Sequence, residues 1–243
     1  MVTTDIKIIR ALWGNFDFYK KEIPSCPIYN ETVYVWGNQN LNKLNELGYD
    51  TIFMGEDVDK SSHTFHLKLE ALVKGQTDFD EIIFMDWDIK QIKEFDDVFY
   101  TQLREKEFSM PTYSYPIEFL NLKLEYKWVN SIIDDFKKYG WRYNAHIVIP
   151  NAGFIYSNKS KIPYELNRIS KEKKISTLTE EFSMWNFANC SLIDYIVKYE
   201  PKCIYGRPTD TIFELENIKN KSEIELHTLI NSLMDKNIYL IHE

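Results

Sequence analysis

A chain of 243 residues that is 44% hydrophobic and 15% aromatic can build one sizeable α/β domain around a packed core. Its 37 acids against 29 bases leave a net charge of −8, which excludes a general attraction for nucleic acid or anionic membrane. No apolar run approaches the ~20 residues needed to span a bilayer.

The start, Met1 to Trp13, carries Asp5, Lys7 and Arg10 where a signal peptide needs its apolar stretch. Cys26, Cys190 and Cys203 fit no zinc or C-x-x-C spacing. The expectation is a soluble, cytoplasmic protein with reduced thiols, pairing of Cys190 with Cys203 staying open.

Ile6 to Leu12 reads as a first strand running into Trp13-Gly14-Asn15, and Thr32 to Trp36 as a second running into Gly37-Asn38. A short helix from Leu41 to Leu47 stops at Gly48, and Thr51 to Met54 resumes as a strand. Ser61 or Ser62 can cap a helix whose Phe65, Leu69, Leu72 and Val73 fall on one face. That helix leads to Glu81-Ile82-Ile83-Phe84-Met85-Asp86-Trp87-Asp88-Ile89, an apolar run of the kind buried on both faces of a parallel sheet.

Beyond Asp88, Phe95 to Leu103 reads as helix and Phe108 to Tyr115 as extended. Val129, Ile132, Ile133 and Phe136 mark a helix ending at Gly140, followed by a strand at His146 to Ile149, the turn Pro150-Asn151-Ala152-Gly153 and an extended Phe154 to Tyr156. Lys159 to Lys174 holds six basic residues and little apolar periodicity, which predicts a solvated loop. Thr177 with Glu180 and Ser222 with Glu225 have capping-box spacing ahead of helices carrying Phe182 and Trp185, and Leu226, Leu229, Ile230 and Leu233. The chain closes on a strand from Ile238 to Ile241. Strands alternating with helical connections predict a mostly parallel sheet wound right-handedly.

The chemistry gathers at the end of the apolar strand. Asp86 and Asp88 lie on one side of an extended chain, because side chains alternate with period two, and both can face a point beyond the strand's carboxyl end, where open α/β sheets bind ligands. Two hard oxygen donors there suit a divalent cation that could hold a diphosphate. One buried acid capping the next helix and one solvated acid is the plainer alternative. Trp87 points away from its flanking acids and is expected in the core. Lys68, on the preceding helix, can reach a phosphate or stay solvated. His63 and His66 share a helix face with no acid or cysteine placed beside them, a weak metal pattern.

In this order, the Asp86-Trp87-Asp88 strand end, the Asn151-Ala152-Gly153 turn, the acids Glu180 and Glu181 opening a helix and the terminal Tyr239-Leu240-Ile241-His242 resemble the GT-A fold of nucleotide-sugar glycosyltransferases. Asn151 to Asn158 resembles the N-A-G segment of family 8 in particular, although Pro150 and the lysine-rich stretch depart from that pattern. The resemblance implies a single GT-A domain over 1–243, a Rossmann-like mixed, mostly parallel sheet flanked by helices. A nucleotide-binding part covers about 1–90 and an acceptor and catalytic part about 91–243. It further implies manganese or magnesium held by Asp86, Asp88 and His242, and a nucleotide-sugar donor, UDP-sugar foremost. The donor would be bound by Leu12, Trp13, Gly14, Asn15, Lys68, Asp86, Asn151, Ala152 and Gly153. Glu180 or Glu181 would serve as general base or stabiliser, the stereochemical outcome staying open. The implied reaction moves a sugar onto an acceptor hydroxyl, on a surface glycan or other saccharide, with Lys171, Lys173 and Lys174 contacting the acceptor.

Three alternatives stay beside it. A viral enzyme of this kind would modify hydroxymethylated bases in DNA, which only the basic stretch favours. A metal-dependent phosphatase also places Asp-x-Asp after an apolar strand, but Lys90 stands where that family wants Thr or Val. The third is a non-catalytic module binding nucleotide sugar.

Overall fold

The computed structural model describes residues 6–58, 66–104, 107–116, 148–150, 153–173, 197–200 and 239–242. Lys7–Leu12 (β1), Glu31–Trp36 (β2), Asp50–Gly55 (β3) and Glu81–Met85 (β4) form a parallel sheet in the order β3-β2-β1-β4. All of β2 and Ile82 to Met85 of β4 are buried, as the apolar and β-branched runs Thr32 to Trp36 and Ile82 to Met85 require of strands covered on both faces, with Glu31 a buried acid at the start of β2. β3, at the edge, leaves Asp50 and Phe53 exposed.

Phe16–Tyr19 (α1), Asn38–Glu46 (α2) and His66–Asp78 (α3) make the connections. α3 lies close on the sheet because Gly75 has no side chain: a Cβ there would stand 2.5 Å from Ile9 Cδ1. After β4 the chain passes through Ile89–Gln91 (β5), Asp97–Leu103 (α4), Phe108–Pro116 (β6), Val148–Pro150 (β7) and Phe154–Asn158 (β8). β8 pairs antiparallel with β4 and β6, β7 antiparallel with β6, and Val197–Glu200 (β9) parallel with β6. The expected mixed, mostly parallel sheet with flanking helices is what the chain forms. One core cluster joins Ile8, Ile83, Met85 and Phe154 to Phe99 and Leu103 of α4 and to Tyr239 and Leu240; a second joins Leu12, Val33, Val35 and Leu44 to Tyr19 and Trp87.

The terminal strand, Leu240–His242 (β10), begins later than expected and forms a separate two-stranded sheet with β5, pairing Leu240 with Gln91 and His242 with Ile89. Three short elements escape the sequence reading, α1, β5 and β9.

The expectation for the lysine-rich stretch is overturned. The solvated loop expected over Lys159 to Lys174 is replaced by a helix over Ile162–Lys173, α5, packed along α3. Ser160 Oγ accepts the Ile162 N–H at 3.2 Å, and Ile162 and Leu166 bury a stripe beneath the lysines. The hydroxyls of Tyr164 and Thr77 meet at 3.1 Å, and Lys171 pairs with Glu70 at 3.1 Å. The helices expected around Val129 to Phe136, Phe182 to Trp185 and Leu226 to Leu233 lie outside the described residues.

Candidate active site

From β1 the chain moves to β2 on one side and, after α3, returns to β4 on the other. The connections diverge at the carboxyl ends of β1 and β4, the topological switch point at which open α/β sheets form their crevice. A cleft of about 160 Å³ opens there, lined by the acids Glu22, Asp86 and Asp88, the ammonium of Lys68 and the rings of Trp13 and Tyr19.

The two aspartates reach it by a turn, which corrects the expectation of strand alternation. β4 ends at Met85, and the Ile89 N–H closes back on the Asp86 carbonyl at 3.1 Å. Trp87 and Asp88 are the central residues of that turn. Trp87 is buried as expected: its indole N–H donates to the Ala11 carbonyl at 2.8 Å, and its ring meets Tyr49 edge to face. Arg10, 1% exposed in the middle of β1, donates to the Asp86 carbonyl and to the buried carboxylate of Glu31, and its guanidinium carbon lies 4.9 Å from the Trp87 ring centroid.

Lys68 is 4% exposed, and its ammonium lies 2.7 Å from Asp86 Oδ2. The plainer expectation of a solvated lysine therefore fails, because the first turn of α3 faces the sheet here, with the ammonium 5.4 Å from the Phe84 ring centroid. The Tyr19 hydroxyl is pushed well above the ordinary phenol range, first by burial and then by the charges of Asp86 and Glu22, with Lys68 opposing. It stays protonated, a neutral hydrogen-bond donor beside the acids.

The Asp86 N–H donates to the Gly153 carbonyl at 2.8 Å, so Gly153 abuts the Asp-x-Asp turn. β10 aligns His242 opposite Ile89, next to Asp88 in the chain; its side chain lies outside the description. Gly14 takes φ +75°, and its carbonyl and that of Trp36 accept from Asn40 Nδ2 at 2.8 Å each, which ties the ends of β1 and β2 together. Trp13 is 5% exposed and sits edge to face with Trp36, so it packs in the core while lining the cleft. Leu12 is fully buried. Asn15 is exposed and caps α1 by accepting the Asp17 N–H at 2.9 Å.

Asn151, Ala152, Glu180, Glu181, Lys174 and His63 lie outside the described residues, and Lys173 is described in its backbone alone. Lys171 stands on α5 against Glu70, two residues along α3 from Lys68. Sequence reasoning missed Arg10, Tyr19 and Glu22. Arg10 alone carried a signal, as a cation interrupting a buried apolar strand.

Among the described residues no group of three His, Cys, Asp or Glu side chains is gathered as a cation site. Asp86 and Asp88 supply two hard oxygen donors in one partly open cleft, a donor set that fits a divalent ion of the magnesium or manganese type. The Lys68 ammonium holds one Asp86 oxygen and so competes for the same carboxylate.

This is the GT-A fold of nucleotide-sugar glycosyltransferases. The chain superposes on the galactosyltransferase LgtC, solved with donor and acceptor sugar analogs, at a TM-score of 0.53 and 13% identity, covering 98% of this chain and 86% of that one. It superposes on the bifunctional glycosyltransferase WbbM at 0.53 and 12% identity, covering 100% of this chain and 46% of that one. No protein-family model matches the sequence, and no curated protein resembles it significantly. Among the described residues no helix is long and apolar enough to cross a membrane.

Proposed function

We propose that the protein is a metal-dependent glycosyltransferase that moves a sugar from a nucleoside diphosphate sugar, a UDP-sugar foremost, to an acceptor hydroxyl on a saccharide. The observation that carries this reading is the meeting of Asp86, Asp88 and the buried ammonium of Lys68 in one cleft at the switch point of a GT-A fold. The abutting Gly153 carbonyl and the docking of β10 on β5 support it.

In this reading Lys68 binds the diphosphate by a charge-assisted hydrogen bond. Asp86 and Asp88, with His242, would hold manganese or magnesium, which when bound supplies a Lewis acid for the charge that develops on the leaving nucleoside diphosphate. The Tyr19 hydroxyl adds a neutral donor beside these acids. Gly153, without a side chain, lets backbone approach the donor sugar. Glu180 or Glu181 would act on the acceptor hydroxyl or on the developing charge of the sugar. α5 runs back along α3 from Tyr164 at Thr77 to Lys171 at Glu70, and this supports an acceptor role for Lys171, with Lys173 and Lys174 proposed beside it from the sequence.

A panel of nucleotide sugars incubated with manganese tests the proposal. At least one donor should release nucleoside diphosphate, and chelation should stop the release. Failure of every donor with both manganese and magnesium would refute it.

A further inference from the structure

We propose that Arg10 is the positioning residue of the Asp86-Trp87-Asp88 turn, acting from the floor of the cleft through the main chain of Asp86 and the ring of Trp87. The inference rests on the proposed reading in so far as those aspartates serve a donor and its metal; the geometry stands without it.

Arg10 lies midway along β1, a central strand whose other residues from Ile8 to Leu12 are aliphatic and buried. Arg10 is 1% exposed, and the Glu31 side chain beside it on β2 is 0% exposed. Removing two charges from water costs more than an apolar pair of the same volume would, so stability alone does not call for them. What the pair adds is direction. Glu31 is fixed on its other oxygen, where Oε2 accepts the Ile28 N–H at 2.8 Å, and it holds Arg10 through Nε. The planar fork is thereby aimed, and Nη1 donates to the Asp86 carbonyl.

That carbonyl is the oxygen that closes the turn by accepting the Ile89 N–H, and the Asp86 N–H is bound in turn to Gly153. The guanidinium also lies against the ring of Trp87, whose indole N–H is held by Ala11, the residue after Arg10 in β1. Two successive strand residues thus fix two successive turn residues, and the remaining central residue, Asp88, is left to face the cleft. Lysine, a point charge, cannot serve Glu31, the Asp86 carbonyl and the Trp87 ring together.

The test uses the full chain in two variants. R10M/E31L removes both charges without stranding either, and R10K keeps the charge but loses the fork. Hydrogen exchange at the Ile89 amide reads the turn directly and needs neither metal nor substrate. Manganese-dependent binding of UDP reads its consequence. The double variant should keep the parent's circular dichroism and the slow exchange of β2. Exchange at Ile89 should quicken by about 10-fold, and the manganese needed for half-maximal UDP binding should rise by about 10-fold, as the loss of one charged hydrogen bond implies. R10K should fall between the two. A folded double variant with parent-like exchange at Ile89 and a parent-like manganese requirement would overturn the assignment. Should the double variant not fold, R10K decides: quickened exchange at Ile89 supports the role and parent-like exchange overturns it. A parent that binds no UDP with manganese contradicts the glycosyltransferase reading, while exchange at Ile89 still decides the role of Arg10.

Discussion

Replacing Lys68 by methionine separates two effects that the site joins. The ammonium is 2.7 Å from Asp86 Oδ2 and its side chain 5% exposed, whereas the Asp86 side chain is 33% exposed. Breaking a fully buried pair costs about 3–5 kcal/mol, but here water can reach the carboxylate left behind and the desolvation of the lysine is also relieved. Methionine nearly fills the lysine's volume, so the net loss of stability is about 1–2 kcal/mol, or roughly 2–8 °C in Tm for a chain of this size. For a diphosphate the same change removes a charge-assisted hydrogen bond of about 1.5–3 kcal/mol, which weakens binding about 10- to 150-fold. Manganese binding without nucleotide should instead stay constant or tighten, since Asp86 loses its competitor. Isothermal titration of K68M with UDP at saturating manganese, and with manganese alone, reads both quantities. A fall in Tm with unchanged UDP affinity would leave Lys68 a structural counter-ion with no part in holding the diphosphate.

Asp88→Asn should lower turnover at least 100-fold, on the order of the loss of one electrostatic contributor to the transition state, with Tm within about 2 °C of the parent; steady-state kinetics beside a melting curve checks it. Gly37→Ala should cost about 2–3 kcal/mol in urea unfolding, because φ is +90° and the new Cβ would stand 2.8 Å from Asp57 Cβ. Asp96 caps α4 and accepts from the Tyr239 hydroxyl at 2.7 Å, at the entrance to β10. Burial works to raise its carboxyl, but Tyr239, the amides of Phe99 and Val98 and the Lys93 ammonium hold it below its ordinary value. Its contribution is therefore complete above the unfolded value, about 3.9, and is lost as pH falls through the depressed folded one. Asp96→Asn should flatten that part of the acid transition while keeping the cap, and Asp96→Ala should cost about 1 kcal/mol at neutral pH.

The strands that build the site were legible because burial on both faces leaves an unmistakable run, as in Ile82 to Met85. Asp86 and Asp88 stood out as acids ending such a run. The geometry that turns them was not legible, because it depends on Arg10 and Ala11 of β1 and on Gly153 just before β8, which the fold brings in from elsewhere in the chain. α5 was hidden by its lysines, although Ile162, Leu166 and Ile169 keep helical spacing and Pro163 suits a first turn. α1, β5 and β9 are too short for periodicity. The cap of Asn15 defines the first, and pairing with β10, distant in sequence, defines the second. Tyr19 and Glu22 enter the cleft from a connection with no motif of its own.

We propose that Asp86 and Asp88 bind a nucleoside diphosphate through a divalent cation. Calorimetric titration of UDP into the parent and into Asp86→Asn/Asp88→Asn, with manganese and with chelator, tests it most directly. The parent should bind UDP with manganese, at least about 10-fold more weakly with chelator, and the double variant should bind weakly in both conditions. Equal affinity of parent and variant for UDP, with manganese present or removed, would contradict it.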